Sequence, residues 1–389
     1  TWEGFPNLLF YNNGDGTFTE IGVAAGIGDT YRCISATFGD YNLDGFLDIY
    51  VANHVESVGF TYDSTTGSLN GFAHTGYPNL LYKNNGDNTF TEIAQQAGVA
   101  DTGTSLATAF TDYDNDADLD IISVNDFGEF VVPNLLYQNE YPQPDAFTDV
   151  STTSGMDVGI YGMGIAVGDY DHDLDLDYYS TNIGRNPLLN NQGNGTFIDT
   201  ADFAGVDDTY VNGLFATGWG AAFFDYDNDT YQDLYVANGN IPAAGFIANA
   251  VNNPDRLFKN LGNGTFQKVD SALGIIAPGL SRGIAYGDYD NDGEVDILVT
   301  TVNPNTFSDT TYVALWRNDI NNGNNWLKAN LVGTTNNRDG FGAHIEISVG
   351  GQHWLHEIDG GSTHLSQNSS IAHLGLGQIT LSLIHICRC

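Results

Sequence analysis

Apolar and β-branched residues run through this chain in short bursts, each closed by a cluster of Asp, Asn and Gly. Residues 283–289 (GIAYGDY) form one burst that enters an acidic stretch, and residues 295–301 (VDILVTT) form the next. A third burst follows at 312–318 (YVALWRN). In the complete copies of this pattern a turn such as residues 12–18 (NNGDGTF) leads into a fourth, FTEI. Short runs of this kind, bounded by turn residues, read as strands. Asn-Gly and Asp-Gly favour tight hairpins because positive φ costs them little.

The bursts belong to a repeat. DYNLDGFLD at 40–48 returns as DYDNDADLD at 112–120, DYDHDLDLD at 169–177, DYDNDTYQD at 225–233 and DYDNDGEVD at 288–296. Successive starts lie 72, 57, 56 and 63 residues apart. A second phrase alternates with the first, beginning at Asn7, Asn79, Asn134, Asn186 and Arg256, with a weaker copy from Ala314. Four-stranded antiparallel units repeating at this spacing predict an all-β fold, a β-propeller of five acidic-loop blades preceded by an N-terminal half-blade. The longest insertions, residues 54–77 and 241–253, fall between the second and third strands of their blades. Insertions in such folds collect on one face, where Phe60, Tyr62, Phe72 and Tyr77 are candidate ligand contacts.

Each acidic loop sets oxygen-bearing side chains at its first, third, fifth and ninth positions. They are Asp40, Asn42, Asp44 and Asp48 in the first loop, then Asp112, Asp114, Asp116 and Asp120 in the second. The third holds Asp169, Asp171, Asp173 and Asp177, and the fourth Asp225, Asp227, Asp229 and Asp233. The fifth holds Asp288, Asp290, Asp292 and Asp296. Alternate positions on a tightly curled loop converge on one point, as in the first half of an EF-hand loop. Carboxylates so crowded repel one another unless a cation lies between them. Hard oxygen ligands without His or Cys favour Ca²⁺ over transition metals, and calcium's loose shell suits them better than that of Mg²⁺. Position seven, where the side chain varies (Phe46, Asp118, Asp175, Tyr231, Glu294), is expected to offer its backbone carbonyl. These are not EF-hands, because the twelfth positions are Val51, Ser123, Ser180, Val236 and Val299. About five structural Ca²⁺ ions are expected, one per loop.

Charge and composition narrow the function. Eleven Lys and Arg face 49 Asp and Glu over 389 residues, a formal net charge of −38 and a pI near 4.1. Such a surface repels nucleic acid and anionic membranes. No apolar run approaches the roughly 18 residues of a membrane-spanning helix. Of the three cysteines, Cys33 reads as a small buried residue, and no CxxC or disulfide framework is present.

GDYDNDGEVDILV and NLLYKNNGDNTFTEI closely resemble FG-GAP/VCBS repeats, the family that builds integrin-type propellers with calcium between a blade's first two strands. The resemblance covers residues 5–318, and it implies a fragment of a ring of about seven blades. The departures are Asn42 for Asp, and Ala117, Leu174 and Thr230 where Gly usually follows the fifth position. Beyond residue 318, NWLKANLVG, NRDGFGA, GGSTHLSQNS and HLGLG resemble an ASPIC/UnbV domain over 319–380. Within it Ile345, Ile347 and Val349 alternate, Gly350 and Gly351 turn, and Trp354, His356 and Ile358 alternate again, which predicts a β-hairpin. The last nine residues, LSLIHICRC, break from this text and resemble translated sequencing-adapter read-through, so Cys387 and Cys389 are set aside.

Five of the nine histidines, His344, His353, His356, His364 and His373, lie in this C-terminal segment, but their spacing predicts partly exposed strand residues rather than a transition-metal site. The sequence contains no GxSxG elbow, P-loop or CxxCH motif. The sequons at Asn194 and Asn263 fall inside hairpin turns. The expectation is a non-enzymatic, secreted or cell-surface calcium-binding propeller that serves as a protein- or glycan-binding adhesion module. The alternative is an enzyme or accessory subunit of a polysaccharide-degrading or oxidative system, with its site in the propeller funnel.

Overall fold

The computed structural model describes residues 4–241, 250, 253–275, 280–302, 312–349, 352–379 and 384–387. Its sheets follow the repeat. The first blade consists of Cys33–Gly39, Asp48–Asn53, Leu80–Asn84 and Phe90–Glu92. The second is Thr104–Thr111, Asp120–Asp126, Leu135–Asn139 and Phe147–Asp149. The third is Ile165–Gly168, Asp177–Ser180, Leu188–Asn191 and Phe197–Asp199. The fourth is Gly218–Phe224, Asp233–Asn238, Arg256–Asn260 and Phe266–Lys268. The fifth has three described strands, Leu280–Gly287, Asp296–Val302 and Tyr312–Trp316. An N-terminal pair, Phe10–Asn12 and Phe18–Glu20, is the half-blade. Every blade is an antiparallel meander in which neighbours along the chain are neighbours in the sheet.

The core lies between blades. Tyr113, Leu136 and Val124 of the second blade pack against Tyr178, Leu189 and Phe197 of the third. Tyr170 and Tyr179 of the third meet Phe223, Leu234 and Phe258 of the fourth. Tyr178 and Leu234 are fully buried. At about 1.5–3 kcal/mol per large buried side chain, these seams rather than any single sheet hold the ring together.

Between blades the chain makes one helical turn, an element absent from the sequence reading. The turns are Gly22–Ala25, Ala94–Ala97, Ser151–Ser154, Ala201–Ala204 and Asp270–Leu273. Each is stopped by a glycine in the left-handed region, from Gly274 at φ 73° to Gly26 at φ 90°. A non-glycine residue there would be strained. The 54–77 insertion folds as predicted between the second and third strands, as two short strand pairs, Val55–Ser57 with Thr75–Gly76 and Phe60–Tyr62 with Leu69–Phe72. The second insertion lies mostly outside the described residues. No described helix is long and apolar enough to cross a membrane.

The predicted C-terminal hairpin is present as His344–Val349 and Gln352–Glu357, with Ile347 opposite Trp354. Its Gly350-Gly351 turn lies outside the described residues. Ile384–Cys387 runs antiparallel to its first strand, and Asn325–Ala329 pairs with Ala372–Gly377. This domain sits on the face of the ring that carries the acidic loops. Phe38 N–H donates to Gly360 O at 3.1 Å, and Leu47 of the first loop packs on the domain's core. Asp112 N–H donates to Glu357 Oε2 at 3.0 Å, and Leu355 N–H to Asp169 Oδ2 at 2.9 Å. His373 Nε2 lies 2.9 Å from Asn228 Oδ1, and Lys328 Nζ lies 2.5 Å from Asp288 Oδ2. All five loops are touched.

Candidate metal centres in the blade loops

Each loop is wound by its own carboxylates. The first-position aspartate accepts the N–H of the fifth residue, as in Asp116 to Asp112 Oδ1 at 3.1 Å and Asp229 to Asp225 Oδ1 at 3.0 Å. The fifth-position aspartate accepts the N–H of the seventh, as in Asp175 to Asp173 Oδ1 at 3.0 Å and Glu294 to Asp292 Oδ1 at 3.0 Å. These bonds curl the chain so that alternate side chains point inward. The fourth residue takes positive φ in every loop: Leu43, Asn115, His172, Asn228 and Asn291.

The ninth-position aspartate is a different kind of residue. Asp177 accepts the Tyr170 N–H at 3.3 Å on one oxygen and the Asn191 N–H at 2.8 Å on the other. Asp120, Asp233 and Asp296 are bonded in the same way. Asp48 takes the Asn84 N–H at 2.8 Å, while its Oδ2 is buried without a partner.

Carboxylate oxygens of Asp112, Asp114 and Asp120 come within 4.8 Å of one another, as do those of Asp169, Asp171 and Asp177, and of Asp288, Asp290 and Asp296. In the fourth loop the triplet is Asp225, Asp227 and Asp229. The first loop gathers no such triplet among the described residues, since Asn42 stands where the others have the third-position carboxylate. These four clusters could hold metal ions. In three of them one carboxylate oxygen, Oδ1 of Asp114, Asp171 and Asp227, is buried without a hydrogen-bond partner. That donor set, oxygen alone, fits a hard cation such as Ca²⁺, although Lys259 in the fourth loop and Lys328 in the fifth already bring positive charge to those clusters.

Electrostatics agree. Burial, reinforced by neighbouring carboxylates, pushes Asp48 and Asp169 up to about 8, Asp112 to about 7 and Asp171 to about 6. Asp288 goes the other way. Burial raises it, but the Lys328 ammonium and the Gly293 N–H outweigh burial and leave it below the usual range.

Sequence reasoning missed a ring of partners on the third strand of each blade. Gln138 Nε2 donates to Asp114 Oδ2 at 2.7 Å, and Asn190 Nδ2 to Asp171 Oδ2 at 2.8 Å. Lys259 Nζ bonds Asp227 and reaches Asp229 at 2.8 Å, and Arg317 lies 4.0 Å from Asp290. Where the third position is Asn42, the equivalent Lys83 turns to Asp145 instead, at 2.7 Å. The signal was a polar residue at one fixed place in the recurring phrase, before an Asn in YKN, YQN, LNN, FKN and WRN.

Of the proposed ligand contacts, Phe60 and Tyr62 are exposed at 47% and 60%, whereas Phe72 is buried against Phe127 and Phe130. Tyr77 is stacked on Tyr31 at 4.7 Å. The latter two are pillars under the insertion. Cys33 is buried, and the sequon asparagines close their own turns, Asn194 Oδ1 accepting the Thr196 N–H and Asn263 Oδ1 the Thr265 N–H.

The family model for FG-GAP-like repeats matches residues 6–51, 70–123 and 246–299, and that for ASPIC and UnbV matches 333–386. The chain carries FG-GAP-like repeats and, at its C-terminal side, an ASPIC and UnbV domain. This FG-GAP-like chain is 25% identical to mouse cartilage acidic protein 1, over 98% of its own length and 66% of that protein's. It is 24% identical to the human protein, over 91% of its own length and 60% of that protein's. It thus spans slightly less than two thirds of the length of these relatives. Among solved structures it is similar to an Agrocybe aegerita lectin recognising non-reducing terminal N-acetylglucosamine, with 16% identity and a TM-score of 0.30 over 74% of this chain and 90% of that one. It is also similar to the V. cholerae biofilm matrix protein Bap1, with 13% identity and a TM-score of 0.37 over 79% of this chain and 43% of that one.

Proposed function

We propose that this chain is a calcium-binding propeller of the cell exterior, secreted or held at the cell surface, that serves as a non-enzymatic protein- or glycan-binding adhesion module. The observation that carries the calcium reading is the buried, unpartnered Oδ1 of Asp114, Asp171 and Asp227, each among carboxylates. Ca²⁺ bound there would bridge the first and second strands of a blade and discharge the repulsion that burial imposes. Its role is structural, because the loops are wound by their own hydrogen bonds and lie under the C-terminal domain. Extracellular placement is supported by the ion, since low-affinity oxygen sites fill at the millimolar calcium found outside cells. Ligand binding falls to the 54–77 insertion, whose Phe60 and Tyr62 are the exposed aromatics there.

Calorimetric titration with Ca²⁺, run beside thermal melts in calcium and in chelator, tests this reading. Near-stoichiometric filling of the loops with a large rise in melting temperature is expected. Binding of one ion or none, with an unchanged melt, would sink it. Glycan and protein-ligand screens on the whole chain, repeated with Phe60→Ala and Tyr62→Ala, test the adhesion half, and a ligand retained by both variants would place recognition elsewhere.

A further inference from the structure

Within the 54–77 insertion, the hairpin of Phe60–Tyr62 against Leu69–Phe72 carries a run of exposed apolar side chains. Val58, Phe60 and Tyr62 alternate along the chain, Leu69 lies opposite Tyr62, and Phe130 of the second blade packs beside Phe72 at 5.4 Å. The support beneath them is fixed. Buried Phe72 stands on Phe127 at 4.8 Å, and Phe127 meets Tyr161 at 5.7 Å and the His74 ring at 4.4 Å. His74 Nδ1 accepts the Gly59 N–H at 3.0 Å, and burial pushes this imidazole below its ordinary value. The charges around the rings have one sign. Glu56 and Glu129 are exposed, and Asp63 closes the hairpin turn by accepting the Thr66 N–H at 2.6 Å and the Thr65 N–H at 2.9 Å, bonds that hold its carboxyl below the usual range. Residues 54–77 and 126–131 contain no Lys or Arg. Arg32 meets the insertion at its root, where its carbonyl accepts the His54 N–H at 3.0 Å.

Large apolar side chains gathered in water mark an interaction surface, and aromatic faces beside carboxylates suit a cation. We propose that this hairpin face docks a polypeptide segment rich in Arg and Lys, which rests on the reading of the insertion as the ligand-binding element. The rings take the guanidinium and ammonium groups, and Glu56 and Glu129 pair with those at the rim. Arginine uses both features at once, because its plane stacks on a ring while its N–H fork binds a carboxylate. Charge excludes the other occupants. A second copy of this chain brings the same net −38 and is repelled, as is any acidic ligand. The field of the whole molecule draws a basic segment in, and the rings decide where it stays. Because those rings are already packed on Phe72 and Phe127, little freedom is lost when a partner settles on them.

Fluorescence anisotropy of the whole chain in calcium, with a labelled arginine-serine repeat peptide and its citrulline counterpart, is the test. The arginine peptide is expected to bind, more tightly at low salt, and the citrulline peptide, which keeps the shape and loses the charge, is not. Joint Phe60→Ala and Tyr62→Ala should weaken binding about tenfold. Joint Glu56→Gln and Glu129→Gln should weaken it about threefold at low salt and less at physiological salt. Asp339→Asn, at an exposed acid of the C-terminal domain, should leave it unchanged. Equal binding of the two peptides, or equal binding with and without the two rings, would overturn the inference. The citrulline comparison uses the unaltered chain, so a variant that misfolds does not decide the matter. A neutral glycan that binds and is lost with Phe60→Ala, while the arginine peptide stays free, overturns the basic partner and leaves the insertion as the binding element. Ligands of both kinds retained by the ring variants overturn both.

Discussion

Aspartates of one repeated phrase do two jobs, and the phrase does not separate them. Asp171 offers one oxygen to Asn190 and leaves the other unpartnered, whereas Asp177 spends both on backbone N–H groups. Asp171→Asn is therefore expected to keep its stability in chelator and to lose about 2–3 kcal/mol of the gain from calcium, the size of effect of a ligand at about 100 times its Kd. Asp177→Asn turns an amide donor against a backbone donor, and it should cost about 1–3 kcal/mol in calcium and chelator alike. Paired melts of the two variants in both buffers check this. Side-chain type and spacing made these residues legible as a site. Which oxygen is already taken depends on the fold around the loop, and spacing does not carry that.

Strands and hairpins were legible because turn residues punctuate short apolar runs, and observed strands such as Leu280–Gly287 and Asp296–Val302 lie within a few residues of the runs that announced them. The one-turn helices were not, since four residues are too few to show a helical period. Nor was the device that joins one blade to the next. The asparagine closing the third strand reaches back to the preceding blade's acidic loop: Asn139 Nδ2 to Tyr41 O, Asn191 to Tyr113 O and Asn260 to Tyr170 O, each at 2.8 Å. The same amide nitrogen of Asn260 also donates to Gln232 O at 2.9 Å in its own blade. Asn260→Ala strands two buried carbonyls and should lower stability by about 3 kcal/mol. Asn12, exposed in the half-blade, only accepts the Gly14 N–H, and Asn12→Ala should cost about 0.5 kcal/mol or less. Urea midpoints of the two variants make the comparison.

Across the whole molecule, acidity and burial combine into a pH response. Asp48, Asp112 and Asp169 are pushed up to about 8, 7 and 8 by burial, so without an ion the folded chain holds protons that the unfolded chain releases near pH 4. Stability in chelator should then fall as pH rises from about 4 to about 8, and calcium should flatten that slope by displacing the protons. Calorimetric melts across this range, with and without chelator, read it directly, and a rising slope in chelator would contradict it. The placement of the C-terminal domain on all five loops was not legible, because nothing in its own strands names the surface it covers. That placement has a consequence in time. A chain made from its N-terminus forms its blades in order, and the segment that seats on all of them is finished last. Because the domain touches all five loops, its seating depends on each of them having formed.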